Sequence, residues 1–394
     1  METAVPARMV YLEISAPKIK GIRQMDVSTP RKVGKSSLHV TPLGFGGAQL
    51  GSPFVTNEES LETVACAWDN GVRLYDTAPF YGIGRSERRL GLALSGLAGA
   101  GSVPPRDEYR VNTKVGKTLV AEPVRDESNK TLTPRGKART ARDALSGFRL
   151  AFDYTYNGIL RQHEDSLQRM GLSSVDSLTI HDMDYGYHTK AQMEHHLKEL
   201  SAEGGGGATA LQELRDSGAI SAIGCGCNLE AANAGSWEGS DHEDLVERIA
   251  DTVDLDFLVI AGAYTLLETR ACRRLLPMCE ERNIGVVGAS PYAGGWLVAP
   301  NEPGTTYMYA PPPDEIVERA QRMNDICERH EVPLAAAALQ FPLAHPRVAS
   351  VIPGPKTPQE AAGNYRHINT PIPEDVWRSF KEEGLLDPAV PTPS

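Results

Sequence analysis

The chain has 394 residues, with 40 Lys and Arg against 51 Asp and Glu and a formal charge of -11. That balance excludes a nucleic-acid partner held by phosphate neutralisation. At 41% hydrophobic and 23% charged, the composition is that of a folded globular protein, and a length of this kind accommodates either two or three domains or one large barrel with insertions.

The first 24 residues, METAVPARMVYLEISAPKIKGIRQ, lack the apolar run of about 7–15 residues that a signal peptide needs. No stretch approaches the ~18 consecutive apolar residues of a membrane span. Residues 1–37 carry seven basic and three acidic side chains, which leaves an organelle-targeting reading open. The six cysteines (Cys66, Cys225, Cys227, Cys272, Cys279 and Cys327) are too sparse for a disulfide framework, and Cys225-Gly226-Cys227 lacks zinc-pair spacing. A reducing, cytoplasmic location is expected.

A first strand is expected at 43–45. Leu61, Val64, Ala65 and Trp68 then fall at i, i+3, i+4 and i+7, one face of a helix, which Asn70-Gly71 ends before a strand at 72–75. The unit repeats. A helix from about Ser86 leads to a strand at 109–115, and a helix at 157–170 to a strand at 177–181. Helices at 208–217, 243–252 and 269–282 lead to strands at 222–227, 257–261 and 285–288. Two more helices, 314–329 and near 334–343, precede a last strand at 348–352.

Eight strands alternating with helices is the number at which a parallel array closes as a (β/α)8 TIM barrel. An open doubly wound sheet fits less well, because Gly44-Phe45-Gly46-Gly47 is not G-x-G-x-x-G and no helix starts on it. The expected division is an N-terminal arm (1–36), a barrel (37–372) and a C-terminal helix and tail (373–394). The surplus length goes into the arm, a charged loop after strand three (about 116–148) and a loop after strand four (about 182–207). Loops after strands lie on the catalytic face of a barrel, so both insertions are candidate lids. The second ends in four glycines, 204–207, read as a flexible connector because no Gly-Lys-Ser/Thr follows. His188, His195 and His196 in that loop match no metal spacing; they are expected to be solvated, and no metal is expected.

Asp76 ends strand two, Tyr81 follows in its loop, Lys114 ends strand three and His181 ends strand four, positions that converge on one mouth of a barrel. The segments around them are Gly71-Val72-Arg73-Leu74-Tyr75-Asp76-Thr77-Ala78-Pro79-Phe80-Tyr81-Gly82, Arg85-Ser86-Glu87, Thr113-Lys114-Val115-Gly116 and Ser177-Leu178-Thr179-Ile180-His181-Asp182. In these four motifs, over residues 38–370, the chain resembles the aldo-keto reductase superfamily. The resemblance implies hydride transfer by an Asp/Tyr/Lys/His tetrad made of Asp76, Tyr81, Lys114 and His181. The chemistry is coherent: a phenol with a pKa of ~10 is a poor acid or base at neutral pH unless a neighbour stabilises its phenolate. Lys114 can be that neighbour, with Asp76 holding the ammonium in place, and His181 can hydrogen-bond the substrate oxygen or relay a proton.

A hydride needs a bound carrier. Residues 351–360, continuing to Asn364, resemble the superfamily's adenosine-binding segment, which assigns Gly354, Lys356, Thr357, Glu360 and Asn364 to the cofactor. The same resemblance assigns the carboxamide to Asn228, with Cys227 where serine is more usual, and adds Gly46, Gly47, Asp76 and Ser290. Glu360 stands where NADPH-preferring members commonly carry arginine; its carboxylate would repel a 2′-phosphate, so NAD is the expected cofactor and NADP the alternative, for which Lys356 remains as a partner. Ala289 replaces a frequent stacking tyrosine.

Residues 151–155, 166–172, 223–228 and 261–267 are similar to the D-threo-aldose 1-dehydrogenase group, which includes L-galactose, L-fucose and D-arabinose dehydrogenases and pyridoxal 4-dehydrogenase. That likeness implies oxidation of a cyclic hemiacetal to a lactone with Tyr81 accepting the hydroxyl proton, although Ala263 replaces an arginine frequent in the group. The alternatives are an NADPH-dependent general aldehyde or ketone reductase and a dinucleotide-binding regulatory barrel without turnover. The expected partner is a small sugar or aldehyde, with no nucleic acid and no membrane, and the chain is expected to be a monomer or homodimer.

Overall fold

Period-two alternation along each central strand decides which side chains fill the barrel and which meet the helices. The computed structural model describes residues 28–96, 104–121, 147–185, 188–201, 205–228, 241–298, 305, 307 and 311–393. A short antiparallel hairpin, β1 (Arg31–Lys32) and β2 (His39–Val40), comes first. The parallel strands are β3 (Phe45–Gly46), β4 (Leu74–Asp76), β5 (Arg110–Val115), β8 (Ser177–His181), β9 (Ala222–Asn228), β10 (Phe257–Ala261), β11 (Gly285–Ala289) and β12 (Val348–Ile352), hydrogen-bonded in that order. A parallel bridge from Leu43 to Val351, with Gly44 N donating to Val351 O at 2.9 Å, joins the last strand to the first. The eight-stranded TIM barrel expected from the sequence is therefore the fold.

Two apolar layers follow from the alternation. Leu74, Ala222, Phe257, Val259, Val287 and Ala349 point inward and pack with Val33, Leu38 and Val40 of the hairpin. Leu178, Ile180, Leu258, Ile260 and Val286 point outward, into the larger cluster shared with the helices. The hairpin thus closes the floor of the barrel. Gly34 makes this approach possible: at φ +51°, any Cβ there would lie 2.2 Å from Asp256 O and 2.5 Å from Gly285 N. Residues 31–36, expected to belong to an arm, are part of this plug because Val33 is an apolar side chain with the barrel interior as its place of burial; of the rest of the expected arm, 1–27 lies outside the described residues.

Most helices follow the expected periodicity. They are α1 (Asn57–Asp69), α2 (Arg85–Gly96), α3 (Tyr156–Met170), α5 (Gly207–Asp216), α6 (His242–Thr252), α8 (Asp314–Arg329), α9 (Leu334–Gln340), α10 (Pro358–Asn369) and α11 (Glu374–Glu382). Thr56 and Glu59 form a capping box on α1, and Gly171 at φ 65° ends α3. The helix expected over 269–282 is instead a 3-10 turn, Arg270–Cys272, followed by α7 (Leu275–Glu281). Pro277 is the reason: with no N–H it is tolerated in a first turn but not within a continuous helix, so the α-helix begins just before it.

Both expected loops contain regular structure. The described ends of the first form an antiparallel pair, β6 (Lys117–Ala121) with β7 (Phe148–Phe152), and the remainder, 122–146, lies outside the described residues. The second holds α4 (Lys190–Ser201), which buries Met193, Leu197 and Leu200 at i, i+4 and i+7. His188 is consequently buried and His196 half-buried against Phe152 and Tyr154, with His188 4.4 Å from the Phe152 ring and His196 5.0 Å from the Tyr154 ring; only His195 keeps the solvated setting expected for all three. Within the C-terminal segment, α11 packs on α8, and Leu385, Leu386 and Val390 are buried. Among the described residues, no helix is long and apolar enough to cross a membrane.

Candidate active site

Alternation brings Asp76, Lys114 and His181 inward at the C-terminal ends of β4, β5 and β8. One layer below, Asn112 Oδ1 accepts from Ser177 Oγ at 2.8 Å and Thr179 Oγ1 at 2.9 Å, which fixes the amide and aims its Nδ2 at Asp76 Oδ1, 2.6 Å away. The other Asp76 oxygen accepts from Lys114 Nζ at 2.6 Å, and Lys114 also donates to Thr77 O at 2.9 Å. Both side chains of the pair are buried, at 2% and 5% exposure, so the ammonium is held by full hydrogen bonds in a water-poor setting.

Tyr81 is placed by backbone packing. The 3-10 turn Gly47–Gly51 lies against it so closely that a Cβ on Gly51 would stand 2.5 Å from Tyr81 C, and one on Gly82 (φ +62°) 2.1 Å from Gly51 O. Arg85 Nη1 donates to Gly51 O at 2.7 Å and Ser86 Oγ to Gly47 O at 2.7 Å, so the Arg85-Ser86-Glu87 motif locks this turn. The result puts Lys114 Nζ 4.7 Å from the Tyr81 ring centroid and the His181 ring 5.7 Å away, edge-on at 86°. Phe80 packs on His181 at 5.8 Å. The structure therefore brings together all four members of the expected tetrad.

His181 is enclosed. Burial pushes its imidazole well below the usual histidine range; Asp182 acts in the opposite direction, and the Lys117 and Lys114 charges add to the lowering. The ring is thus neutral at neutral pH. Its Nε2 lies 3.4 Å from Asp182 Oδ2, and its buried Nδ1 has no hydrogen-bond partner among the described residues.

A second buried ion pair adjoins the tetrad. Lys117 Nζ donates to Asp182 Oδ2 at 2.6 Å, with exposures of 0% and 8%, and lies 4.5 Å from the Phe80 ring centroid. Asp182 Oδ1 accepts from Asn228 Nδ2 at 3.0 Å. Burial works to raise the Asp182 carboxyl, but the Lys117 ammonium that donates to it outweighs this and holds the group below its ordinary value. Burial pushes the Lys117 ammonium down, against the pull of Asp182 and Asp184. Sequence reasoning assigned 117 and 182 to the two loops read as candidate lids; the available signal was a charge close after each of two short strand ends, at Gly116-Lys117 and His181-Asp182.

The expected cofactor residues divide into two groups. Gly46, Gly47 and Gly354 form the seam between the first and last strands: Gly46 N donates to Pro353 O at 2.8 Å, a Cβ on Gly47 would stand 2.5 Å from Asp76 O, and one on Gly354 3.3 Å from Gly46 O. Gly46 and Gly47 are buried, Gly354 exposed. Their small size is explained by this close approach. At the start of α10, Thr357 Oγ1 accepts from Glu360 N at 3.2 Å, while the Glu360 carboxylate turns back to accept from Lys356 N at 2.7 Å. Glu360 therefore caps the helix it was expected to contribute to ribose selection. Asn364 is buried and its Oδ1 accepts from Tyr292 Oη at 2.7 Å; exposed Ser290 follows β11 at φ 55°. The donor set suits a dinucleotide: Asn228, its Nδ2 engaged by Asp182, keeps its carbonyl oxygen as an acceptor, and Lys356 with the first turn of α10 supplies positive potential.

His195, His196 and Glu199 bring three possible ligand atoms within 4.8 Å of one another. Those atoms are already engaged in contacts with each other, His196 Nδ1 with Glu199 Oε2 at 2.8 Å and His195 Nε2 with Glu199 Oε1 at 3.3 Å.

Comparison with known proteins agrees with this geometry. The chain is 34% identical to pyridoxal 4-dehydrogenase of Microbacterium luteolum over 367 residues, covering 92% of this chain and 99% of that protein. It is 34% identical to D-threo-aldose 1-dehydrogenase of a Pseudomonas species over 370 residues, 93% and 99% of the two chains. The glycerol dehydrogenase AKR11B4 from Gluconobacter oxydans shares the fold at a TM-score of 0.64 and 19% identity, with 94% of this chain and 98% of that one aligned. Residues 42–383 match the Aldo/keto reductase family, and the chain belongs to that family of nicotinamide-dependent oxidoreductases.

Proposed function

We propose that this enzyme oxidises an aldose or similar cyclic hemiacetal at its anomeric carbon to the lactone, with NAD as the preferred hydride acceptor and NADP as the alternative. The observation that carries the reading is the Lys114 ammonium, pinned by Asp76, 4.7 Å from the Tyr81 ring centroid. Similarity to a pyridoxal 4-dehydrogenase and a D-threo-aldose 1-dehydrogenase supports the substrate class.

When bound, the nicotinamide supplies the hydride acceptor that no side chain can provide. Asn228 and the segment from Gly354 to Asn364 would hold the dinucleotide, with Gly46, Gly47, Asp76 and Ser290 around the seam. Tyr81, as phenolate, takes the proton of the anomeric hydroxyl while the C–H bond breaks. Lys114 stabilises that phenolate and Asp76 keeps the ammonium in position. His181, neutral and edge-on to Tyr81, orients the reacting oxygen. A hemiacetal substrate spares the enzyme from waiting for a minor open-chain aldehyde.

The test is an initial-rate panel of L-galactose, L-fucose, D-arabinose and pyridoxal against NAD and NADP, with Tyr81→Phe as the control. Wild type should reduce NAD with at least one of the four, and Tyr81→Phe should lose at least ~10²-fold in turnover while its cofactor affinity, read by fluorescence quenching, is unchanged. Brisk NADPH-driven reduction of simple aldehydes with no oxidation of the panel would replace this reading with a general carbonyl reductase.

A further inference from the structure

The segment that follows β3 meets two tetrad residues through backbone. A Cβ on Gly47 would lie 2.5 Å from Asp76 O, and one on Gly51 2.5 Å from Tyr81 C and 2.7 Å from Tyr81 O. Local structure does little to hold it: the 3-10 turn Gly47–Gly51 has no side-chain cap, and residues 52–55 belong to no helix or strand. Its carbonyls are held instead from α2, the helix that starts four residues after Tyr81. Ser86 and Arg85 grip the first part, at Gly47 O and Gly51 O. Arg89, one turn further on and buried, grips the second. Its Nη1 donates to Leu50 O at 2.6 Å and Ser52 O at 3.1 Å, its Nη2 to Val55 O at 2.8 Å, and its Nε to Asn57 Oδ1 at 2.9 Å.

We propose that Arg89 is a positioning residue for the oxidation: its fork fixes the turn against which Asp76 and Tyr81 rest, and so sets how closely the Tyr81 ring approaches Lys114. The inference rests on the acid/base role given to Tyr81 above. A guanidinium presents five N–H donors in one rigid plane, which suits several carbonyls at once; a lysine ammonium on a flexible stem cannot reproduce that pattern. The placement also runs against the charge pattern of a helix start. Arg85, Arg88 and Arg89 share the first turns of α2, where the helix dipole already places positive potential. Burial, then the Arg85 and Arg88 charges, push the Arg89 guanidinium below its ordinary value, although it stays protonated. A local preference broken in this way, beside a reacting group, points to a role in function.

The expected effect follows from distance. Lys114 Nζ on β5 stands 4.7 Å from the Tyr81 ring centroid, and His181 on β8 faces the ring edge-on at 5.7 Å, with Asp76 on β4 pairing Lys114. Any drift of the Tyr81 backbone changes the first of these separations. The stabilisation that an ammonium gives a phenolate falls as that separation grows. Loosening the loop should therefore move the titration of Tyr81 to higher pH and leave less phenolate at neutral pH. A displacement of about 1 Å at a reacting group is enough to cost ~10²-fold in rate. Arg89 spends its donors on the loop and on Asn57, so kcat should respond more than KM.

The experiment compares wild type, Arg89→Lys and Arg89→Ala, the last with and without guanidinium chloride at tens of millimolar. Tyr81 is followed by 13C NMR of Cζ-labelled tyrosine, with Tyr81→Phe assigning the signal, a readout that needs no substrate. Its titration should move up by about one pH unit in both variants, a tenfold loss of phenolate. Oxidative kcat at neutral pH should fall ~10-fold while KM changes less than about 2-fold, and guanidinium should bring Arg89→Ala back toward wild type. Arg89→Lys separates grip from charge, because it keeps the charge and loses the fork. A wild-type titration of Tyr81 in Arg89→Lys, or in both variants alongside a lowered Tm, overturns the proposal. If Arg89→Ala does not fold, Arg89→Lys decides by itself. Failure of the sugar panel with the Tyr81 shift in place overturns the substrate reading alone.

Discussion

Removing one member of the Asp76–Lys114 pair should damage folding as well as turnover. At 2.6 Å the attraction amounts to about 6 kcal/mol at an effective dielectric near 20, most of it offset by the desolvation of two ions. Asp76→Asn does not recover that offset: it leaves an ammonium of 2% exposure with Thr77 O as its remaining protein acceptor, and it sets an amide hydrogen against either Asn112 Nδ2 or Lys114 Nζ. Breaking a buried pair in this way costs about 3–5 kcal/mol. With an unfolding entropy of roughly 2.1 cal/mol/K per residue, a chain of this length loses about 4–6 °C of Tm. Lys114→Met should fall by a similar amount, since the carboxylate is then stranded. The double variant Asp76→Asn/Lys114→Met should recover to within about 1–2 kcal/mol of wild type, with turnover abolished in all three. Calorimetry at neutral pH with parallel rate measurements reads this cycle. If both single variants melt with wild type, or if the double loses the sum of the two singles, the pair is not the buried, mutually dependent unit described here.

Two further outcomes are expected. Glu360→Arg removes the carboxylate that accepts from Lys356 N and should raise NADP affinity relative to NAD, at a cost of about 0.5–1 kcal/mol from the lost cap; an unchanged affinity ratio by titration would mean that position 360 does not meet the ribose. Burial, then the neighbouring His196 and Lys117, hold the His188 imidazole down to about 3, while the unfolded chain protonates it near ~6.5. Its contribution is therefore intact above that pH and is lost as pH falls toward 3, at about 1.4 kcal/mol per unit, so His188→Phe should flatten the acid slope of unfolding free energy measured by urea titration between pH 6 and 4. An unchanged slope would remove His188 as a source of acid sensitivity.

Apolar periodicity was enough for the barrel. Outward-facing Leu178 and Ile180 alternate with Ser177, Thr179 and His181 in β8, and the same alternation in β5 sends Asn112 and Lys114 inward. Because parallel strands in a barrel share a direction, residues at their C-terminal ends must converge, and the tetrad was legible for that reason. The hairpin plug was not, since strands of two residues carry no period. Helix α4 was hidden for another reason: its buried Met193, Leu197 and Leu200 are diluted by His195, His196 and Glu199 in a segment that follows a catalytic strand.

Length and composition by themselves marked a folded globular chain, and strand spacing pointed to one eight-stranded barrel. Tertiary structure alone decided what the surplus length does. Residues 31–36 help seal the floor, 117–121 and 148–152 pair as an antiparallel ribbon, and the segment 188–201 sets His188 against Phe152 and His196 against Tyr154. It also decided that Lys117, Asp182 and Asn228 meet, residues separated by 65 and 46 positions along the chain. Local sequence sets backbone preference and the face a side chain takes; which distant charges share one dry pocket depends on the closure of the whole sheet.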